Sequence, residues 1–216
     1  MIVCASILNQ TLEFKPMKIL LHIDTSARFE GSDSRRLSQR FVRTWLDNHP
    51  DTRVVERDLA SKPLPHLDEE ILAAMMTPAN QHDPHQMAIN RRIDLLVEEF
   101  LDADLVVIGA PMYNLGIPST LKAYIDHIVV AGRTFAYTEK GAQGLVADKP
   151  VYVITARGGV HAGQPSDQQT PYLQTLFNFL GIHSVNFIHS EGLNMGEAMR
   201  AQGIELAHTE IARHAA

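Results

Sequence analysis

Hydroxyl and arginine side chains concentrate in one short stretch, TSARFEGSDSRR, which runs from Thr25 to Arg36. This stretch follows an apolar run and leads directly into a helical pattern. Hydroxyl groups and free backbone N–H groups at a helix N-terminus bind anions, and the helix dipole strengthens the attraction. Because the sequence lacks the glycine patterns of dinucleotide and nucleoside-triphosphate loops, we predict a site for a terminal monophosphate. The alternative is a helix that is merely capped by Ser32 or Ser34.

Two later loops carry groups that suit a flat ring. In the earlier of the two, which is the second loop of the chain, Met112 and Tyr113 are followed by Asn114, whose amide offers both a donor and an acceptor. An exposed Met-Tyr pair is costly unless an apolar surface covers it. In the later of the two, TARGGVH, which is the third loop of the chain, Gly158 and Gly159 let the backbone approach a ligand closely. The alternatives are that Tyr113 belongs to the core and that the glycines form an ordinary turn.

Each of the three loops follows a short apolar run, and these runs are Lys18–Ile23, Leu105–Gly109 and Val151–Thr155. They are rich in Val, Ile and Leu and do not alternate with polar residues, which is typical of strands buried on both faces of a parallel sheet. Weaker strand patterns occupy Arg53–Arg57 and Val185–His189. Helical spacing fills the gaps at Ser34–Asn48, Gln86–Leu101, Ser119–Val130, Pro171–Leu180 and Glu197–Arg213.

Strands that alternate with helices predict an α/β fold with a doubly wound parallel sheet. In such sheets ligands bind outside the carboxyl ends of the strands. The three loops should therefore surround one ligand, and a phosphate together with a heteroaromatic ring fits flavin mononucleotide (FMN). The long connection from Ser61 to Pro84 should contain a short helix at Glu69–Met76, and it either covers the binding site or is a surface excursion.

Composition narrows the class of protein. The chain has 216 residues, a net charge of −6 and 45% hydrophobic residues, which fits one globular domain and argues against a nucleic acid partner. Its single cysteine, Cys4, cannot form an intramolecular disulfide. No apolar stretch is long enough to cross a membrane.

The domain organisation predicted from the sequence has two parts. Residues 1–16 precede a second methionine, Met17, and read as an N-terminal extension that we expect to be poorly ordered. Residues 17–216 form a single domain. Because a signal peptide needs a basic start and a longer apolar core, we expect a cytoplasmic protein.

Four sequence motifs are carried by the chain from Lys18 onwards: PMYN at 111–114, LKAYIDHIVVAGRTFAYTEKGAQGL at 121–145, TARGGVH at 155–161 and TPYL at 170–173. With these motifs the chain resembles the FMN-dependent NADH azoreductases, a flavodoxin-like family also described as quinone reductases. The resemblance implies five parallel strands in the order 2-1-3-4-5. It also implies a homodimer with FMN sites at the subunit interface.

The same resemblance assigns site residues by position. The FMN phosphate falls on Ser26, Ser32, Asp33 and Ser34; the ring falls on Met112, Tyr113, Asn114 and Leu115; and its pyrimidine edge falls on Ala156, Arg157, Gly158 and Gly159. Leu115 stands where the family often has Phe, and Ala156 stands where Ser is common. Arg35 stands where a neutral residue is frequent, and it either strengthens phosphate binding or is solvated.

The implied activity is reduction of quinones and azo compounds by NADH or NADPH through FMN, with ping-pong kinetics. Because N5 of the flavin carries the hydride, we assign no obligate catalytic side chain. Tyr137 and His161 are candidates for the substrate pocket, and His161 is either a proton donor or an inert loop residue. The histidines lack metal-ligand spacing, so we expect no metal.

Two other functions compete with this interpretation. A flavodoxin-type electron carrier would also bind FMN, but carriers favour a strongly acidic surface and short loops. A serine hydrolase would need a G-x-S-x-G motif, which the sequence does not contain.

Overall fold

A five-stranded parallel sheet forms the centre of the computed structural model, which describes residues 17–216. Its strands are β1 (Lys18–Asp24), β2 (Thr52–Asp58), β3 (Leu105–Pro111), β6 (Val151–Ala156) and β7 (Val185–Ser190). They lie in the order β2-β1-β3-β6-β7. Counted among the parallel strands alone, this is the predicted order 2-1-3-4-5. The predicted extension at residues 1–16 lies outside the described part of the chain.

Six α-helices lie between or after these strands in the described part of the chain. They are α1 (Asp33–Asn48), α2 (Glu69–Met76), α3 (Pro84–Asp102), α4 (Ser119–Ile128), α5 (Gln169–Leu180) and α6 (Glu197–His214). Local sequence explains several of their ends. Asp83 and Gln86 form a capping box at the start of α3, with Pro84 in the first turn. Helix α5 ends at Gly181, whose φ of 100° favours glycine.

Side-chain alternation along the buried strands divides the core into two layers. Leu21 of β1 faces the layer that contains Phe100 of α3, whereas its neighbour Leu20 faces the layer with Phe41 of α1. Successive side chains of a strand point to opposite faces, and both faces here are covered by helices. This accounts for the continuous apolar runs that predicted the strands.

An antiparallel hairpin of β4 (Phe135–Thr138) and β5 (Gly141–Gly144) was not predicted. Strand β5 reads GAQG, which contains none of the β-branched or aromatic residues that mark strands. The hairpin depends on tertiary contacts, because the N–H of Val146 bonds the carbonyl of Leu180 at the end of α5. A side chain at Gly144 would overlap the backbone there.

The long connection after β2 forms ordered structure. It contains the predicted helix α2, whose Ile71 and Ala74 pack on Ile89 and Ile93 of α3 in a separate apolar cluster. Asp68 caps α2 by accepting a hydrogen bond from the N–H of Ile71 at 2.8 Å. The connection is therefore a helical layer beside α3 and not a loose excursion.

Candidate functional site

A cleft lies at the carboxyl end of the sheet, around the ends of β1, β3 and β6. Among its lining residues are nine of the twelve predicted cofactor residues, namely Ser26, Ser32, Asp33, Ser34, Met112, Tyr113, Ala156, Arg157 and Gly158. The other three, Asn114, Leu115 and Gly159, adjoin these residues in the chain. Chain topology thus brings the three predicted loops to one place. That place is the switch point between β1 and β3, where strand order reverses.

The first turn of α1 presents unused donors to this cleft. Ser32 is the N-cap, and its hydroxyl accepts a long hydrogen bond of 3.5 Å from the N–H of Arg35. The hydroxyls of Ser32 and Ser34 lie 3.2 Å apart. Within residues 17–216, the N–H groups of Asp33 and Ser34 have no hydrogen-bond partner. Such a helix start binds anions.

The carboxylate of Asp33 does not oppose an anion in the cleft, because two guanidinium groups neutralise it. Arg36 and Arg200 each donate to its Oδ1 at 2.8 Å. Arg28 also lines the cleft, and its guanidinium has no ion-pair partner in the described part of the chain. The local charge therefore favours a phosphate.

Arg35 has neither of the roles that the sequence suggested. Its side chain is buried, and it donates to the carbonyls of Ser26 and Arg28 and in two bonds to the carboxylate of Asp58. The two hydrogen bonds from Arg35 to Asp58 hold the pKa of this carboxyl below its usual value. Arg35 therefore fixes the shape of the loop after β1 without facing its ligand, and it is not solvated.

The second loop, which follows β3, contains a tight turn. Tyr113 and Gly116 exchange two backbone hydrogen bonds of 3.1 and 3.0 Å, and the residues between them, Asn114 and Leu115, have φ values of 49° and 68°. Asn tolerates this left-handed conformation, but Leu does so only under strain. The N–H groups of Asn114 and Leu115 have no partner among the described residues. Backbone strain of this kind often marks a functional site.

We expect Leu115→Gly to raise the free energy of unfolding of the apoprotein by about 1 kcal/mol, because glycine adopts a positive φ without strain. Urea denaturation measures the change. Asn114→Gly is the matched control and should change stability by less, since Asn already tolerates this backbone. A loss of stability in Leu115→Gly would show that contacts of the leucine side chain outweigh its strain.

The third loop offers two more free donors. The N–H groups of Gly158 and Gly159 lack partners in the part of the chain that the structure describes, whereas the N–H of Arg157 bonds the carbonyl of Ser190 at 2.8 Å. A Cβ at Gly158 would lie 2.7 Å from the side-chain nitrogen of Asn194. A larger residue at position 158 would therefore have to displace the side chain of Asn194.

The side chain of Arg157 is completely buried and bound to protein groups. It donates to both oxygens of Asp167 at 3.0 and 3.1 Å, to Glu191 at 3.1 Å, and to Gln169 and Thr170. Burial opposes ionisation of both acids, but hydrogen bonds from backbone N–H groups and Arg157 hold the pKa values of Asp167 and Glu191 below the usual range. Arg157 is thus a positioning residue of this loop.

This buried network connects the loops around the cleft. Gln169 donates to the carbonyls of Ala110 and Pro111 at the end of β3, at 3.1 and 3.2 Å. Glu191 accepts from the N–H groups of His161 and Ala162 at 2.9 Å each. The ends of β3, β6 and β7 are therefore held together through one guanidinium group.

Two hydroxyls join the first loop to the second. The hydroxyls of Ser26 and Tyr113 lie 3.2 Å apart, and the Tyr113 hydroxyl also accepts from the N–H of Ala27 at 3.3 Å. Tyr113 is partly exposed beside the cleft, so it is not the core residue of the alternative interpretation. Ser26 is itself nearly inaccessible.

The two candidate substrate residues do not line the cleft within this chain. Tyr137 is exposed on the β4–β5 hairpin, where it packs edge-on against Phe135 at a centroid distance of 5.2 Å. His161 ends the third loop, and its Nδ1 lies 2.9 Å from the hydroxyl of Ser166. A Cβ at Gly159 would lie 2.9 Å from the Nε2 of His161, so the ring covers that glycine.

Residues that the sequence analysis did not assign also line the cleft. Leu193 and Asn194 follow β7, and the N–H of Asn194 bonds the carbonyl of Gly158 at 2.9 Å. The same reasoning about strand ends would have indicated them, because β7 was among the predicted strands. Within residues 17–216 there is no group of three potential metal ligands, and no helix there is long and apolar enough to span a membrane.

Comparison with known proteins identifies the family. A family model described as a flavodoxin-like fold matches residues 17–215. The FMN-dependent NADH:quinone oxidoreductase of Azotobacter vinelandii is 48% identical over 197 residues, which cover 91% of this chain and 99% of that protein. FMN-dependent NADH:quinone oxidoreductase 3 of Pseudomonas aeruginosa is 47% identical over 195 residues, covering 90% and 92%.

A solved structure agrees with these relatives. The azoreductase from Bacillus anthracis superimposes with a TM-score of 0.85 at 30% identity, covering 92% of this chain and 99% of that chain. These three matches each cover at least 90% of this chain. The chain therefore belongs to the flavodoxin-like family and, within it, to the FMN-dependent NADH:quinone oxidoreductases.

Proposed function

We propose that this protein binds FMN in the cleft and reduces quinones and azo compounds with electrons from NADH or NADPH. The observation that carries the proposal is a set of unpaired backbone donors on three loops around one cleft. These donors are the N–H groups of Asp33, Ser34, Asn114, Leu115, Gly158 and Gly159. The names of the relatives and the name of the Bacillus anthracis azoreductase support the reaction class.

The chemistry of these donors fits the two ends of FMN. A helix start with two hydroxyls and the free Arg28 guanidinium suits a dianionic phosphate. The ring end needs an apolar surface and N–H donors at its edge, which Met112, Tyr113 and the two turns supply. Ala156 has no hydroxyl to add, and its carbonyl is already bonded by the N–H of Met112 at 2.9 Å.

The chemistry that FMN supplies when bound is acceptance of a hydride from a nicotinamide and its donation to an electrophile. The chain itself binds and orients the ring. The free N–H groups of the Asn114–Leu115 and Gly158–Gly159 turns would stabilise negative charge on a reduced ring held between them. No side chain of the cleft needs to act as an obligate acid or base.

The nicotinamide that gives the electrons and the quinone or azo compound that takes them should use the same open face of the ring in turn. Such alternating binding gives ping-pong kinetics. A flat apolar opening recognises planar conjugated molecules through π-contacts of roughly 0.5–1.5 kcal/mol, without demanding one substrate. We therefore propose several quinones and some azo dyes as substrates. Tyr137 and His161 stay in the proposal as residues near the acceptor, and the location we propose is cytoplasmic.

We further propose a homodimer with one FMN site near each end of the interface. The apolar side chains of α4 are buried in their own chain. Exposed apolar side chains lie on α2 and the second loop, at Leu72, Met76 and Leu115. Tyr137 is the most exposed aromatic residue among those described, and a partner subunit would bring it near a second cleft. A fully active monomer in sedimentation experiments would contradict this arrangement.

Spectroscopy of the purified protein tests the proposed reaction. After saturation with FMN, the protein should show bound-flavin absorbance that NADH or NADPH bleaches without oxygen and that a quinone restores. Comparing the two nicotinamides gives the preferred donor. A protein that takes up no FMN would refute the proposal. Accumulation of one-electron-reduced flavin during titration would instead favour the electron carrier.

A further inference from the structure

A second cavity lies away from the FMN cleft and shares no lining residue with it. It is formed by the segment after β2, by α2 and α3, and by the last turns of α4. Its volume is about 230 Å³, which lies below the usual range for small-molecule sites and therefore suits only a small ligand. The proposed reaction makes no use of this space.

Most of the wall is apolar. Seven of its residues are Pro63, Leu64, Pro65, Ile71, Ile89, Ile93 and Leu96. The remaining four are Arg57, Lys62, Arg92 and His127, so every ionisable residue of the lining carries a basic nitrogen. The wall suits an apolar body, and the absence of any carboxylate among its residues suits a ligand with negative charge.

Two of the three cations are available to a ligand. Arg57 is bound by Glu99 in two hydrogen bonds of 2.9 and 2.6 Å. Lys62 and Arg92 are exposed, and neither side chain has a hydrogen bond or ion pair within residues 17–216. The two free cations therefore attract a carboxylate at the entrance of the cavity.

His127 places a polar anchor in the apolar wall. His127 is 4% exposed, and its Nδ1 lies 2.7 Å from the carbonyl oxygen of Ala123. A carbonyl only accepts, so Nδ1 carries the proton and the Nε2 of the neutral ring is an acceptor. Nε2 has no hydrogen-bond partner in the described chain. An unpartnered ring nitrogen of this kind is suited to a hydroxyl donor on a ligand.

We propose that this cavity binds a small hydroxyaryl carboxylate. The aromatic body packs between the prolines and the isoleucines, and the carboxylate lies at the mouth near Lys62 and Arg92. The hydroxyl donates to the Nε2 of His127. The site is independent of the FMN cleft, and binding there needs no redox step.

Calorimetric titration of the FMN-saturated protein with 4-hydroxycinnamate tests the proposal. Lys62→Gln and Arg92→Gln should each weaken binding roughly 2–5-fold, as expected for exposed charge pairs. Arg91→Gln is the matched control, because Arg91 is the exposed neighbour on α3 and does not line the cavity. It should leave the affinity unchanged.

A second comparison isolates His127. Cinnamate, which lacks the hydroxyl, should bind about fivefold more weakly than 4-hydroxycinnamate, since one hydrogen bond is lost. In His127→Leu this difference between the two ligands should disappear, while the response to added quinone and nicotinamide stays as in the parent protein. This readout does not depend on whether His127→Leu is less stable.

Three results would overturn the proposal. The first is the absence of any binding, as would follow if a second subunit closed the cavity. The second is binding that all three lining variants leave unchanged, which would place the ligand elsewhere on the protein. The third is a hydroxyl effect that persists in His127→Leu.

Discussion

Replacement of Arg157 by Met is expected to lower the free energy of unfolding by about 3–5 kcal/mol, the usual cost of removing one partner from a buried ion pair. The variant leaves Asp167 and Glu191 without the guanidinium to which both are bonded at 3.0–3.1 Å. Met fills similar space but donates no hydrogen bond. Urea denaturation of the apoprotein near pH 7 measures the loss.

The loss should depend on pH in a defined direction. In the parent protein the pKa values of Asp167 and Glu191 are lowered, so their contribution to stability is full above the ordinary carboxyl pKa of about 4 and falls as the pH drops through the folded values. In Arg157→Met the unpaired acids prefer to be protonated. The difference in stability between the two proteins should therefore shrink as the pH falls towards 4.

Arg133→Met is the matched control for this prediction. Arg133 also forms an ion pair, with Asp94 at 2.6 Å, but its side chain is 36% exposed. Its removal should cost less than about 1 kcal/mol. Equal losses in the two variants, or a loss in Arg157→Met that does not change with pH, would contradict the role of the buried network.

The double variant Ser32→Ala/Ser34→Ala is expected to lower FMN affinity by about 10²–10⁴-fold. Each hydroxyl bonded to a charged phosphate contributes roughly 1.5–3 kcal/mol, and about 1.4 kcal/mol corresponds to a factor of ten. Because Ser32 is also the N-cap of α1, the variant should lose about 1 kcal/mol of stability and stay folded. Fluorescence titration of the apoprotein with FMN measures the affinity.

Riboflavin, which lacks the phosphate, separates binding of the phosphate from general damage to the cleft. The double variant should bind riboflavin about as well as the parent protein does. Ser119→Ala is a control for the loss of an exposed serine at a helix start, and it should change neither affinity. Unaltered FMN affinity in the double variant, or an equal loss for both ligands, would show that this loop does not hold the phosphate.

The sequence alone was sufficient to predict the parallel strands, the α-helices and the edge of the sheet where the loops meet. Strands buried on both faces must be apolar throughout, and α-helices need a periodic apolar face, so both leave clear local patterns. The helices at Glu69–Met76 and Glu197–His214 follow from such patterns. The β4–β5 hairpin does not, because both strands have only four residues and β5 has glycine at two of its positions.

Only the tertiary structure decided what individual side chains do within the predicted loops. Arg35 and Arg157 stand beside candidate ligand residues in the sequence, yet both guanidinium groups turn inward and bind acids from distant segments. Their partners Asp58 and Glu191 lie 23 and 34 residues away. Whether an arginine meets a ligand or a buried carboxylate depends on which segments the fold brings beside it. That information is not in the local sequence, because the desolvation and pairing of a charge are set by contacts between segments far apart in the chain.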